Sequence, residues 1–277
     1  MPTLSTIGAA CARAWGFTSG LVKDQYFNLV SLLLPGNGTN GAQNNTFLDS
    51  GTANSGSGFT ITRNGNTTQG TFSPFSQTGW SNYFGSSTAN IVFASDASFA
   101  LGTGNFTVEL FVNFDAWTGN QVLFLQGTSS LVGMYLDKPS SGNTLRFGDP
   151  NGIIISYSWT PNIGQWYHIA VVRSGTGSNQ TTLYIDGVAV ATGTSSASIP
   201  AYTIMVGGIN YASPYNTQGY ISNLRYSNVA RTITNPTSFF SSDANTLLLT
   251  CRSNRFVDIS GTPKTISQIN GTTSVTP

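Results

Sequence analysis

The chain has 277 residues, eleven Lys and Arg against ten Asp and Glu, and 8% charged residues in all, where soluble domains ordinarily carry about 25%. A formal charge of +1 gives neither nucleic acid nor an anionic membrane an electrostatic handle. No run approaches the roughly 18 apolar residues of a membrane span. Hydrophobic residues at 39% and aromatics at 12% can offset the entropy of ordering. The scarcity of Lys and Glu beside many β-branched, aromatic and turn residues predicts an all-β chain.

Residues 1–20 stand apart. They are small and weakly helical (IGAACARAWGF) and end at the breaker Ser19-Gly20. A segment this short has no core of its own. The expectation is an N-terminal extension that anchors through Ile7, Arg13, Trp15 and Phe17 to another protein or another copy; the alternative is a terminus packed locally. No secretory signal opens the chain, so assembly in a host cytoplasm is expected. Cys11 and Cys251 lack metal-site spacing and read as two free, partly buried thiols.

From residue 21 to residue 277 a single domain is expected. Its strand-like runs are LVSLLL (29–34), GFTIT (58–62), ANIVFA (89–94), FTVELFVNF (106–114), QVLFLQG (121–127), GMYLD (133–137) and TLRFG (144–148). They continue with GIIISYS (152–158), WYHIAVVR (166–173), TTLYIDG (181–187), AVATG (189–193), YTIMVGG (202–208), GYISNLRYS (219–227) and NTLLLTC (245–251). Many short strands divided by Asp-Gly, Asn-Gly and Gly-rich turns indicate a sandwich or barrel. The series LLL, Phe-x-Asp, a Thr-Ile strand and Asn-Gly occurs in 32–68 and again in 247–273, so the first and last strands are expected side by side where the sandwich closes.

GQWYHIAVVRSGTGSNQTTLYIDGVAVATG (164–193), with GNFTVELFVNF (104–114) upstream and GYISNLRYSNVAR (219–231) downstream, resembles the laminin-G-like, concanavalin-A-like superfamily. The resemblance implies an antiparallel jelly-roll β-sandwich. In WYHIAVVR, Trp166, His168, Ala170 and Val172 share one face, and Tyr167, Ile169 and Val171 the other. Asp186-Gly187 is a hairpin turn, with Asp186 capping it rather than binding an ion. His168, the one histidine, reads as a satisfied core residue.

Some members of that superfamily hydrolyse glycosides, which takes paired carboxylates on one face. Glu109 is the only glutamate, and Thr107, Phe111 and Asn113 on its face supply no second acid. Asp115 is out of phase. No enzyme and no cofactor are expected. The resemblance leaves a structural calcium open, with Asp49, Asp96 and Asp258 the nearest candidates; hard cations want several oxygens.

The leader and the phrases LLLPGNGTNG and LLLTCRSNRFVD are similar to structural proteins of marine tailed phages, notably cyanophages. That similarity implies a virion protein, a capsid or tail appendage whose partners are other virion proteins and copies of itself, on the particle exterior. The alternative is a free extracellular carbohydrate-binding module, and a host-surface glycan is a partner on either reading. Sugar rings stack on aromatic faces beside hydrogen-bonding loops. INYASPYNTQGY (209–220) offers Tyr211 and Tyr215, and DAWTGN (115–120) offers Trp117; packing of these rings on the rim is the competing account.

Overall fold

The computed structural model describes residues 32–33, 73–75, 80–128, 131–209, 215–253, 255–271 and 273–276. The chain divides into two units, Met1–Gln69 and Gly70–Pro277, and the sandwich lies in the second. The four anchor candidates and the GFTIT run lie outside the described residues. Of 29–34 only Leu32 and Leu33 are described, and neither is in a strand.

Fifteen strands are present among the described residues: β1 (Ser81–Phe84), β2 (Asn90–Phe93), β3 (Phe106–Phe114), β4 (Gln121–Gly127), β5 (Gly133–Lys138), β6 (Thr144–Asp149), β7 (Gly152–Ser158), β8 (Trp166–Arg173), β9 (Thr181–Ile185), β10 (Val188–Gly193), β11 (Ile204–Val206), β12 (Gly219–Ser227), β13 (Thr246–Thr250), β14 (Ile266–Asn270) and β15 (Thr273–Thr276). One sheet runs β10-β9-β8-β3-β12-β1-β15, with β13 also beside β12; the other runs β14-β2-β11-β4-β5-β6-β7. Every pairing between these strands is antiparallel. The fold is the expected all-β sandwich.

Alternation decides which side chains meet between the sheets. Val108, Leu110, Val112 and Phe114 of β3 and Tyr167, Ile169 and Val171 of β8 face Ile91, Phe93, Met134, Leu136, Phe147 and Val206 from the second sheet in one buried cluster. Each such side chain contributes about 1.5–3 kcal/mol on burial. Cys251 belongs to the same cluster, and burial pushes its thiol up to about 12.

Two buried polar groups tie the layers together. The Tyr226 hydroxyl donates to Gln126 Oε1 at 2.6 Å, and Gln126 Nε2 donates to the carbonyls of Phe99 and Pro200. The Arg173 guanidinium donates to the carbonyls of Gly102, Gly104 and Ala197. The expected hairpin at Asp186-Gly187 has φ of +48° and +80°, as a two-residue turn of the primed type requires. Asp186 Oδ1 accepts the His168 amide at 2.8 Å, closing that turn. No helix among the described residues is long and apolar enough to cross a membrane.

Candidate functional site

The outer face of the first sheet carries the residues that sequence singled out by type. Arg225 stands directly across from Glu109 in register. Its Nε and Nη2 both donate to Glu109 Oε1, at 2.8 and 2.6 Å, while His168 Nε2 lies 3.3 Å from Oε2. Both oxygens are therefore occupied, and Glu109 is 2% exposed. Phe111 and Phe240 lie with ring centroids 5.0 and 5.8 Å from His168, and the Arg225 guanidinium lies 4.3 Å from the Phe240 ring. A bulge in β12 between Ser222 and Arg225 leaves Asn223 at a positive φ. Its Oδ1 accepts the Phe240 amide and holds the 232–241 strap over the cluster. His168 is buried as expected, but its Nδ1 has no partner in the structure. Arg225 also donates from Nη1 to the Ser241 carbonyl at 3.3 Å, so the ion pair ties this carboxylate to the strap.

The candidate calcium ligands are engaged by protein. Asp96 caps the Ala97–Phe99 turn and lies 3.3 Å from Lys264 Nζ. Asp258 accepts the amides of Leu249, Ser260 and Lys264 and the Ser260 hydroxyl. Asp49 lies outside the described residues. Among the described residues no three His, Cys, Asp or Glu side chains come together as a metal site.

A different arrangement forms at the rim. Three loops, 85–88, 115–120 and 215–218, enclose a cleft of about 330 Å³ lined by Gly85, Ser86, Ser87, Gly119, Asn120, Asn216 and Gln218. This is within the range of small-molecule sites, about 300–1,000 Å³. Buried Gln121 fixes two of the loops: its Nε2 donates to the carbonyls of Ala116 and Thr118, and its Oε1 accepts the Gln218 amide. The Thr217 hydroxyl donates to the Val122 carbonyl, and Asn120 and Tyr215 bridge through their backbones. The two loops that sequence nominated separately thus meet.

Asn216 is 3% exposed. Its Nδ2 donates to the Ala89 carbonyl at 2.7 Å, while its buried Oδ1 has no partner among the described residues. A Cβ on Gly208 would overlap this carboxamide, so only glycine admits it there. A buried acceptor left unmatched costs about 1–3 kcal/mol.

The nominated rings do not line this cleft. Trp117 is 8% exposed and packs edge-on against Phe114 and Trp159, with centroids 4.8 and 5.4 Å away. That corrects its role as an exposed platform: two aromatic neighbours draw it into the core. Tyr215 packs on the outer face of the second sheet, against a cluster that includes Val122, Tyr135 and Met205. Tyr211 lies outside the described residues. Next to the cleft, though not among its lining residues, are Tyr83 and Tyr220, half-buried, with centroids 4.7 Å apart. Tyr83 lies against Gly85, and its hydroxyl donates to the Asp115 carboxylate. Desolvation pushes the Asp115 carboxyl up from its ordinary value, and the Tyr83 hydrogen bond pulls it back. Desolvation and then Asp115 raise both tyrosines. Alternation in SNYFG, with Phe84 inward and Tyr83 outward beside a glycine, is the one sequence signal from which Tyr83 could have been found.

The sequence profile of the concanavalin A-like lectin/glucanases superfamily, in its laminin G form, matches residues 84–235, more than half of the chain. The chain belongs to this superfamily. As a concanavalin-A-like protein it is similar in structure to a candidate carbohydrate-binding protein from Bacteroides ovatus, at 16% identity and TM-score 0.53, covering 71% of this chain and 59% of that one. A pentraxin from Limulus polyphemus matches at 19% identity and TM-score 0.44, over 56% of this chain and 78% of that one. Domains LG4-5 of the mouse laminin α1 chain match at 18% identity and TM-score 0.40, over 59% of this chain and 47% of that one. The chain thus spans less than two thirds of the Bacteroides and laminin chains. No curated protein matches it in sequence.

Proposed function

We propose that this concanavalin-A-like protein is a non-catalytic carbohydrate-binding module that holds its ligand in the rim cleft. The observation that carries the reading is the rim cleft itself, lined by hydroxyls, carboxamides and glycine, with the buried Asn216 in its wall. Sugars present rows of hydroxyl donors and acceptors, and such groups match that lining. The candidate carbohydrate-binding protein of Bacteroides ovatus, alike in fold, supports the same reading. The engagement of Glu109 by Arg225 and His168 supports the absence of hydrolysis. Binding of the full chain to a glycan array tests the module. Asn216→Ala is expected to lower binding about tenfold, as loss of a buried contact does, with the melting transition retained. An array profile that Asn216→Ala leaves unchanged removes the cleft from the function.

A second reading places the module on a virus particle, as an appendage of a tailed phage bound to other virion proteins and to copies of itself. Its support is the sequence: the 8% charge, which leaves little for salt to screen, and the leader with Ile7, Arg13, Trp15 and Phe17. Immunogold labelling of intact particles tests it, and unlabelled particles defeat it.

A further inference from the structure

We propose that the rim cleft selects uncharged glycans and that Tyr83 and Asp115 extend it into a second contact for the sugar chain. This rests on the carbohydrate-binding reading and names the class of glycan. The cleft's polar side chains are the hydroxyls of Ser86 and Ser87 and the carboxamides of Asn120, Asn216 and Gln218, all neutral.

A sialic or uronic acid needs a cation for its carboxylate, ordinarily an arginine fork. Among the described residues, Lys138 reaches a loop of the cleft and is 3% exposed. Its Nζ donates to the carbonyls of Gly119 and Pro139, at 3.1 and 2.8 Å, and lies 5.7 Å from the Trp117 ring. It is therefore directed into the underside of the loop. A charge close by is Asp115, an exposed residue whose amide donates to the carbonyl of Gln218, a cleft residue. A second carboxylate close to it meets like-charge repulsion.

For a neutral sugar the same group is favourable. A carboxylate accepts from two adjacent hydroxyls, and such charge-assisted hydrogen bonds are roughly twice as strong as neutral ones. Beside it Tyr83, braced by Tyr220 and lying against cleft-lining Gly85, supplies the ring on which the C–H face of a pyranose stacks. The cleft residues, the ring and the carboxylate together make a contiguous surface for more than one sugar unit.

The test uses the full chain on immobilised oligosaccharides ending in galactose, glucose or N-acetyllactosamine, each beside its sialylated or uronate-capped counterpart. The neutral member of a bound pair is expected to be favoured by about tenfold at physiological salt, with little change at higher ionic strength. Tyr83→Ala should lose about tenfold and Tyr83→Phe should retain binding, since the ring remains. Asp115→Lys should raise the capped member relative to the neutral one. Capped glycans bound as well as neutral ones, or a profile indifferent to Tyr83→Ala and Asp115→Lys while Asn216→Ala abolishes it, overturn the inference and leave the binding module standing. A chain that binds no saccharide on the panel overturns both.

Discussion

The rim cleft and the pocket beneath the 232–241 strap each enclose about 330 Å³, yet they are built on opposite plans. The strap pocket includes Glu109 and Arg225, residues that by type suggest chemistry, and the protein matches them with each other. Among the described residues the rim cleft is lined by no ionisable side chain, only by hydroxyls, carboxamides and glycines. Residue type says what a group is able to do; whether the fold has already supplied its partner decides whether it is free to do it. A buried ion pair is weak evidence of function and a strong constraint on stability once half of it is removed.

The comparison breaks most readily at Glu109. Glu109→Ala strands Arg225 and His168 under the strap, so a cost of about 3–5 kcal/mol is expected, lowering Tm by roughly 6–20 °C for a domain of this size. The folded fraction should bind glycan as before, because the rim does not use this face. Thermal denaturation followed by circular dichroism, with array binding at low temperature, checks both halves. A variant that melts normally and loses binding would make the strap pocket the functional one.

The reverse pattern is expected at Gln218. Its side chain is exposed and donates only to the Thr118 carbonyl, at 3.3 Å. Gln218→Ala should cost under about 0.5 kcal/mol of stability while lowering glycan binding severalfold. Equal losses in the melt and on the array would mean that the cleft is a structural seam.

The smallest effect sharpens the point about partners. Asp243 is held well below the usual carboxylate range, first by the hydrogen bond from Arg231 at 2.7 Å and then by Thr246 and Asn245. Its folded value lies below its unfolded one. The stability it adds is therefore present above about pH 4 and fades as the pH falls toward the folded value. Asp243 is exposed, so the effect is modest. Asp243→Asn should flatten the acid limb of a Tm-against-pH curve slightly, and an unchanged limb would assign that slope to other carboxylates.

Most strands were legible because alternation and turn residues are local. β3, β4, β7, β8 and β12 fall on the expected runs residue for residue. β1 and β15 escaped because SNYF and TSVT are short and mostly polar, whereas the equally short β2 and β11 show as apolar runs; each is defined by its neighbours, β12 and β15 for the one and β1 for the other. The site was harder to read. Gly85, Gly119 and Asn216 come from three distant loops, and only the sheet order brings them together. Trp117 was a reasonable candidate by type, but Trp159, 42 positions along, covers it. The ion pair was only half within reach: regular antiparallel pairing of FTVELFVNF with GYISNLRYS sets Glu109 opposite Leu224, and the bulge between Ser222 and Arg225 brings Arg225 there instead.

β1 and β15 run antiparallel with Ser81 opposite Thr276, so the sandwich's first and last described strands meet at one edge, their outer ends about 5 Å apart. A module wired in this way is a plug with both leads on the same side. It can be spliced into a surface loop of a larger host without prising the host's own chain apart, and it can be exchanged for another ligand-reading module at the cost of two adjacent peptide junctions.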